Sequence, residues 1–293
     1  DPNPANPISE HMAFHVVDKD GNLTRSETFK APYAAMVHDF IVTRDHVIFP
    51  IMPLTGSLER AMTGGPVYAW EPDKGVHIGI MPRNGSVEDL RWFQGDPGYV
   101  FHPMNAHTNG NIVTCDVCEF EQAPLFPTPD GKPGDPSKAV PRLTRWTFDM
   151  ADNTNSYKWE RLDDMACEFP RLDERYSGLN YRYGFFACDT NPAFKVGGFN
   201  GIGRVDHQTG KTEIYDVGAG CATNEPIFVP KSEQAAEGEG FLLANVYDEG
   251  RKASNLVILD AENVDSGPLA TAYLDQRVPF GFHGNWAQGV NVA

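Results

Sequence analysis

Gly201–Val217 reads GIGRVDHQTGKTEIYDV, and Gly240–Ala261 reads GFLLANVYDEGRKASNLVILDA. In each, two apolar-rich runs of about the length of an ordinary strand flank a short polar turn. Aspartate and glycine supply the turn angles at low steric cost, so both stretches are predicted to be β-hairpins. The same grammar recurs at AFHVV (Ala13–Val17) before the DKDG turn, and at PVYAW and VHIGIM on either side of EPDKG (Glu71–Gly75). Helical periodicity is almost absent. Hairpins that keep arriving along the whole length, without a strict repeat, predict an all-β chain. A β-propeller of four-stranded blades is the first choice and a sandwich the rival. The chain holds roughly four to five such blades. A propeller must close on itself, so residues 1–293 are expected to form a single propeller domain from which an N-terminal portion is absent.

With 293 residues and 41% hydrophobic content, the chain can bury a large core. Its formal net charge of -16 argues against a nucleic-acid backbone or an anionic membrane surface as partner. No apolar run approaches the roughly 20 residues of a membrane helix, and the opening DPNPANPISEHM lacks signal-peptide features, so a cytoplasmic protein is expected. Five cysteines point to reduced thiols rather than a disulfide framework. Cys115 and Cys118 form a lone CxxC whose period-2 surroundings mark strand residues rather than zinc ligands. Gln122–Pro141 is a long Pro/Gly-rich loop, read either as a lid over a site or as a solvated excursion.

Three histidines share one context. His38 lies in MVHDFIVTRDHVIFP beside Asp39, His102 in VFHPMNAH with His107, and His283 in VPFGFHGNWA. Each falls where an apolar strand run begins or ends. A core histidine bonded to a backbone carbonyl is the plain alternative for any one of them. They are 64 and 181 residues apart, so no helix or hairpin joins them, but strand ends of distant blades converge on a propeller axis. Converging neutral imidazoles suit iron, copper, nickel or zinc. His46, His77 and His207 read as structural or solvent-facing, His15 as a strand residue, and His11 as part of a polar loop.

HDF at His38, FHxxNA at His102, EFP at Glu168, NEPIFVP at Glu225 and GFHGxW at His283 together resemble the carotenoid cleavage oxygenase superfamily, most of all the bacterial lignostilbene (stilbene-cleaving) dioxygenases. The resemblance runs from Phe14 to Trp286. It implies a seven-bladed propeller with loops forming a lid over a non-haem Fe(II) held by four histidines, three of them matched here by His38, His102 and His283. Neither His11 nor His15 matches the remaining one, which is expected outside this numbering. The resemblance gives Glu168 and Glu225 the task of bonding the far nitrogens of ligating histidines; a buried glutamate paired with Arg171 or Arg204 is the alternative. Asp39 is expected to bond its own loop backbone. The implied activity is cleavage of the central C=C of a hydroxylated stilbene by O2, giving two aromatic aldehydes. Carotenoid cleavage is the nearer rival, and a Ca-dependent propeller hydrolase or a non-catalytic binding propeller the remoter ones. Phe126, Phe282 and His107 are candidate pocket residues. The implied partners are a phenolic stilbene and O2, with no nucleic acid and no membrane insertion; a homodimer is one allowed assembly.

Overall fold

Asp18–Gly21 turns the chain as expected in the computed structural model, which describes residues 8–190, 198–287 and 289; the opening DPNPANP lies outside the described residues. The Asp18 carboxylate accepts the backbone N–H groups of Asp20 and Asn22 at 2.9 Å each, closing the hairpin of β1 (His11–Val17) and β2 (Leu23–Lys30). His11 is therefore the first residue of a strand, paired with Lys30, and not part of a polar loop.

The chain continues through β3 (Ile41–Val42), β4 (His46–Ile51), β5 (Leu54–Gly56), a single helical turn α1 (Leu58–Met62), β6 (Tyr68–Trp70), β7 (Val76–Pro82) and β8 (Arg91–Gly95). Strands β3, β4, β7 and β8 make a four-stranded antiparallel sheet in that order, while β5 and β6 pair with each other. The hairpin expected between PVYAW and VHIGIM is thus corrected. EPDKG does turn, through a 3₁₀ segment at Pro72–Lys74 and Gly75 at φ 63°. However, Trp70 N–H bonds Pro127 O and Glu71 N–H bonds Pro53 O, which draws the first run away from the sheet that receives the second.

β9 (Tyr99–Asn109), β10 (Ile112–Phe120), β11 (Arg142–Asp149), β12 (Lys158–Leu172), β13 (Tyr183–Asp189), β14 (Gly201–Asp206) and β15 (Lys211–Asp216) form one seven-stranded antiparallel meander in which every strand pairs with its sequence neighbour. β12 makes this continuity possible. Its first part pairs with β11 and its last part, from Ala166, with β13. β16 (Cys221–Thr223), β17 (Ile227–Pro230), β18 (Gly240–Asp248), β19 (Ala253–Asp260) and β20 (Pro268–Tyr273) make the last sheet, with β16 and β17 both on β18. The hairpins read from GIGRVDHQTGKTEIYDV and GFLLANVYDEGRKASNLVILDA are both present, as β14–β15 and β18–β19.

Packing follows the alternation of the strands. One core joins Ile48, Ile78, Phe93, Val113, Val117, Trp146 and Phe148 between the first sheet and the meander. Another joins Phe185, Ile202, Leu242 and Leu259 between the meander and the last sheet. Cys115, Cys118, Cys167 and Cys188 are buried strand residues, and Cys118 and Cys167 Sγ lie 4.0 Å apart. Glu119 is also buried in β10. Burial pushes its carboxyl up to about 7 against the bond it accepts from Trp159 Nε1, 2.6 Å away. Among the described residues no helix is long and apolar enough to cross a membrane.

Candidate metal centre

Two bulges place the central imidazole. In the β9–β10 ladder Val100 pairs with Glu119 and Pro103 with Val117, so Phe101 and His102 together face the single residue Cys118. In β12–β13, Glu168 pairs with Ala187 and Arg171 with Phe185, so Phe169 and Pro170 face Phe186. An extra residue in a ladder leaves groups unpaired and re-aims side chains, and proline is tolerated there because it has no N–H to offer. Phe169 takes a positive φ of 53°, a costly backbone state for an aromatic residue.

At the first bulge His102 sends Nδ1 to Glu168 Oε2 at 2.5 Å. Its Nε2 is buried and has no hydrogen-bond partner. The His38 and His102 rings are centred 5.1 Å apart, and the His102 and His283 rings 4.9 Å apart. His38, in the loop before β3, places Nδ1 3.0 Å from Phe101 O. His283 places Nδ1 3.1 Å from Glu225 Oε1. A carbonyl oxygen and a carboxylate only accept, so each imidazole donates from Nδ1, the tautomer that in a neutral ring puts the lone pair on Nε2. Phe169 lies against the rings of both His102 and His283, at 5.2 and 5.9 Å between centres.

Three imidazoles with free Nε2 lone pairs are a donor set suited to a divalent first-row metal. Two such rings on adjacent positions of one ion have centres about 4.6 to 5.4 Å apart when the metal–nitrogen distance is near 2.1 Å, which brackets the two observed spacings. Among the described residues, however, no three His, Cys, Asp or Glu side chains stand in a closed ligand set, and His283 is half exposed. The ring spacings and the orphaned Nε2 fit a metal, which these three imidazoles would hold.

Glu168 and Glu225 are both buried. The rival arginine pairing holds alongside the histidine bond for Glu225, whose Oε2 lies 3.3 Å from Arg171 Nη1; Arg204 pairs with Glu213 instead. Asp39 bonds the next backbone N–H, that of Phe40, at 2.7 Å. Phe126 packs against the large core and lines a cleft with its own loop, including Gln122, Leu125 and Pro136. Phe282 is 73% exposed. His107 lines a separate cleft with Arg145, Tyr181 and His207. There Asp116 accepts two bonds from Arg145 at 2.7 and 2.8 Å and one from Tyr181 at 2.8 Å. Burial pushes the Asp116 carboxyl up, but these bonds and His207 prevail and hold it below its ordinary range. Burial lowers the pKa of His107 and His207. His207, in the DHQTG turn, is thereby a buried structural histidine bonded to Tyr181 at 2.9 Å. The sequence reading overlooked Phe169 as part of the site and the proline after each of Phe169 and His102, the signal that would have marked both bulges.

Residues 4–288 match the family described as retinal pigment epithelial membrane protein. Over 283 residues the chain is 41% identical to the isoeugenol monooxygenase of Pseudomonas putida, covering 94% of this chain and 59% of that protein. It is 36% identical over 298 residues to lignostilbene-alpha,beta-dioxygenase isozyme III of Sphingomonas paucimobilis, covering 96% and 60%. The crystal structure of Pseudomonas brassicacearum lignostilbene dioxygenase superposes with a TM-score of 0.90 at 34% identity, over 95% of this chain and 60% of that one. The chain thus spans about three-fifths of the length of the relatives it matches.

Proposed function

The chain belongs to the retinal pigment epithelial membrane protein family, that of the carotenoid cleavage oxygenases, and from this membership we propose that the protein cleaves an alkene conjugated to a 4-hydroxyphenyl ring with O2. The substrate class is a hydroxylated stilbene, split at its central C=C. Atoms balance without a further reductant: ArCH=CHAr′ and O2 give ArCHO and Ar′CHO. The observation that carries the reading is the buried, unpartnered Nε2 of His102 flanked by two further imidazoles whose Nδ1 atoms are likewise engaged.

We place a ferrous ion on His38, His102 and His283. When bound, it supplies the redox chemistry by which O2 reacts with an alkene. Glu168 and Glu225 hold two of the imidazoles in the tautomer that leaves Nε2 free, and anchoring of this kind is worth 10 to 100-fold in metal affinity or activity. The Phe101 carbonyl does the same for His38. Phe101, centred 5.0 Å from the His38 ring, and Phe169 set apolar surface against the imidazoles, and of the three it is the His102 side chain, 14% exposed, that is shielded from water.

A second reading has its own support. The 41% identity to an isoeugenol monooxygenase favours a propenylphenol, which would give one aromatic aldehyde and acetaldehyde. Iron-loaded protein containing this chain, offered 4-hydroxystilbenes, 4-propenylphenols and a carotenoid in an oxygen electrode, decides among them. Faster O2 uptake with the stilbene, and two aromatic aldehydes formed, supports the first reading. Preference for the propenylphenol replaces it with the second, and uptake with neither phenol overturns both.

A further inference from the structure

His283 lies in a segment without strand pairing. Its last ties to β19 are those of Leu274 N–H to Ser254 O, Ser254 N–H to Gln276 O and Val278 N–H to Ser254 Oγ. Beyond Val278, among the described residues, hydrogen bonds out of the segment go to Glu225 and Arg171. Glu225 accepts from His283 Nδ1 and from Gly284 N–H, the latter at 2.9 Å. Arg171 donates from Nη1 to Gly284 O at 3.1 Å and from Nη2 to Asn285 Oδ1 at 3.3 Å. Its Nη1 also faces Glu225 Oε2 at 3.3 Å, and its Nη2 pairs with Glu174. The Arg171 side chain is 15% exposed.

We infer that Arg171 is a positioning residue that sets the approach of His283 to the metal, an inference that rests on the metal reading of the three imidazoles. Gly284 is gripped from both sides, its N–H by Glu225 and its C=O by Arg171. That fixes the peptide next to His283, and with it the direction from which the imidazole enters. A rigid planar fork can serve a carbonyl, an amide oxygen and a carboxylate at once; an ammonium on a flexible stem cannot reproduce that arrangement. Arg171 also stands on the strand that carries Glu168 and Phe169. One four-residue stretch therefore touches His102 through Glu168 and Phe169, His283 through Phe169, and the residues that follow His283 through Arg171.

The test compares wild type with Arg171→Gln, Arg171→Lys, Asn285→Ala and His102→Ala, each as the full chain. The readouts are iron retained after dialysis and the visible spectrum of the Co(II)-substituted protein, which reports ligand geometry without turnover. Arg171→Gln should lose metal 10 to 100-fold faster than wild type and shift the cobalt bands, with KM for the alkene unchanged once metal is saturating. Arg171→Lys should not restore the wild-type spectrum, and Asn285→Ala should show a smaller shift in the same direction. If Arg171→Gln fails to fold, the Asn285→Ala spectrum decides alone, an unchanged one overturning the inference. Metal loss from His102→Ala together with wild-type retention and spectrum in Arg171→Gln overturns the inference and leaves the metal reading standing. Wild-type retention in His102→Ala overturns the metal reading itself.

Discussion

His102 and His283 end with the same kind of neighbour, a buried glutamate at Nδ1, and reach it by opposite constructions. His102 is embedded in an eleven-residue strand paired on both sides of its bulge, and its side chain is 14% exposed. His283 sits in irregular backbone, half exposed, held by side chains from β12 and from the loop between β16 and β17. The first imidazole is placed by a hydrogen-bond ladder that exists whether or not a metal binds. The second depends on a few directional contacts, each worth about 0.5–3 kcal/mol net. A metal centre assembled this way has one stiff ligand and one adjustable one.

The largest effect is expected at the stiff side. Replacing His102 by alanine should reduce bound iron and O2-dependent alkene cleavage to background while the β-rich circular dichroism persists; iron near one per chain in that variant would break the contrast at its root. Next come the two carboxylates. Glu168→Gln and Glu225→Gln should each weaken iron retention about 10 to 100-fold, and retention measured by dialysis against a chelator should show the greater loss for Glu225→Gln, because Arg171 loses a charged partner as well. Equal losses would argue that both histidines are equally well anchored.

Metal removal probes the same asymmetry without mutation. Stripping the ion should speed amide exchange in residues 279–287 by tenfold or more and leave Thr108 to Val113 unchanged, read by hydrogen-exchange mass spectrometry. The ladder itself has a pH dependence with a definite sign. Glu119, opposite Val100 beside the His102 bulge, is held near 7 when folded, above its ordinary value. The folded state therefore keeps that proton more tightly, so this group's contribution is most favourable below about pH 4.5 and is lost as pH rises towards 7. Glu119→Gln should accordingly stabilise the protein by about 1 to 3 kcal/mol at pH 8 and by little at pH 4.5 in urea titrations. The smallest effect is expected from Phe282→Ala. An exposed ring should change stability by about 0.5 kcal/mol or less, and a raised KM for the alkene would make Phe282 a wall of the pocket after all.

The hairpins at β14–β15 and β18–β19 were legible because turn chemistry and strand alternation are local. The pairing of β6 with β5 was not, since it goes with a bond from Trp70 N–H to the carbonyl of Pro127, distant in the chain, and one from Glu71 N–H to that of Pro53. Nor was the fusion of seven strands into one sheet, because nothing in the composition of β12 announces that its two parts face different partners. His38, His102 and His283 could be matched as motifs, but the coming together of their rings belongs to the fold, which carries His102 on β9 and the other two in loops. Phe169 and Arg171 were harder. A positive φ leaves little trace in a bulky residue, and Arg171 was weighed only as a competitor for Glu225 when it in fact joins His283 in binding it.

The unbroken β9–β15 meander has a consequence for the order in which the protein folds. Each of its pairings closes a loop between neighbours in the chain, and the entropy of closure grows only with the logarithm of loop length. Adjacent hairpins can therefore zip early and propagate along the sheet. The imidazoles, separated by 64 and 181 residues, gain nothing from one another until the sheets beneath them exist. Metal capture then belongs to the end of folding, and pulse-labelled exchange should find β10–β14 amides protected before those of residues 279–287.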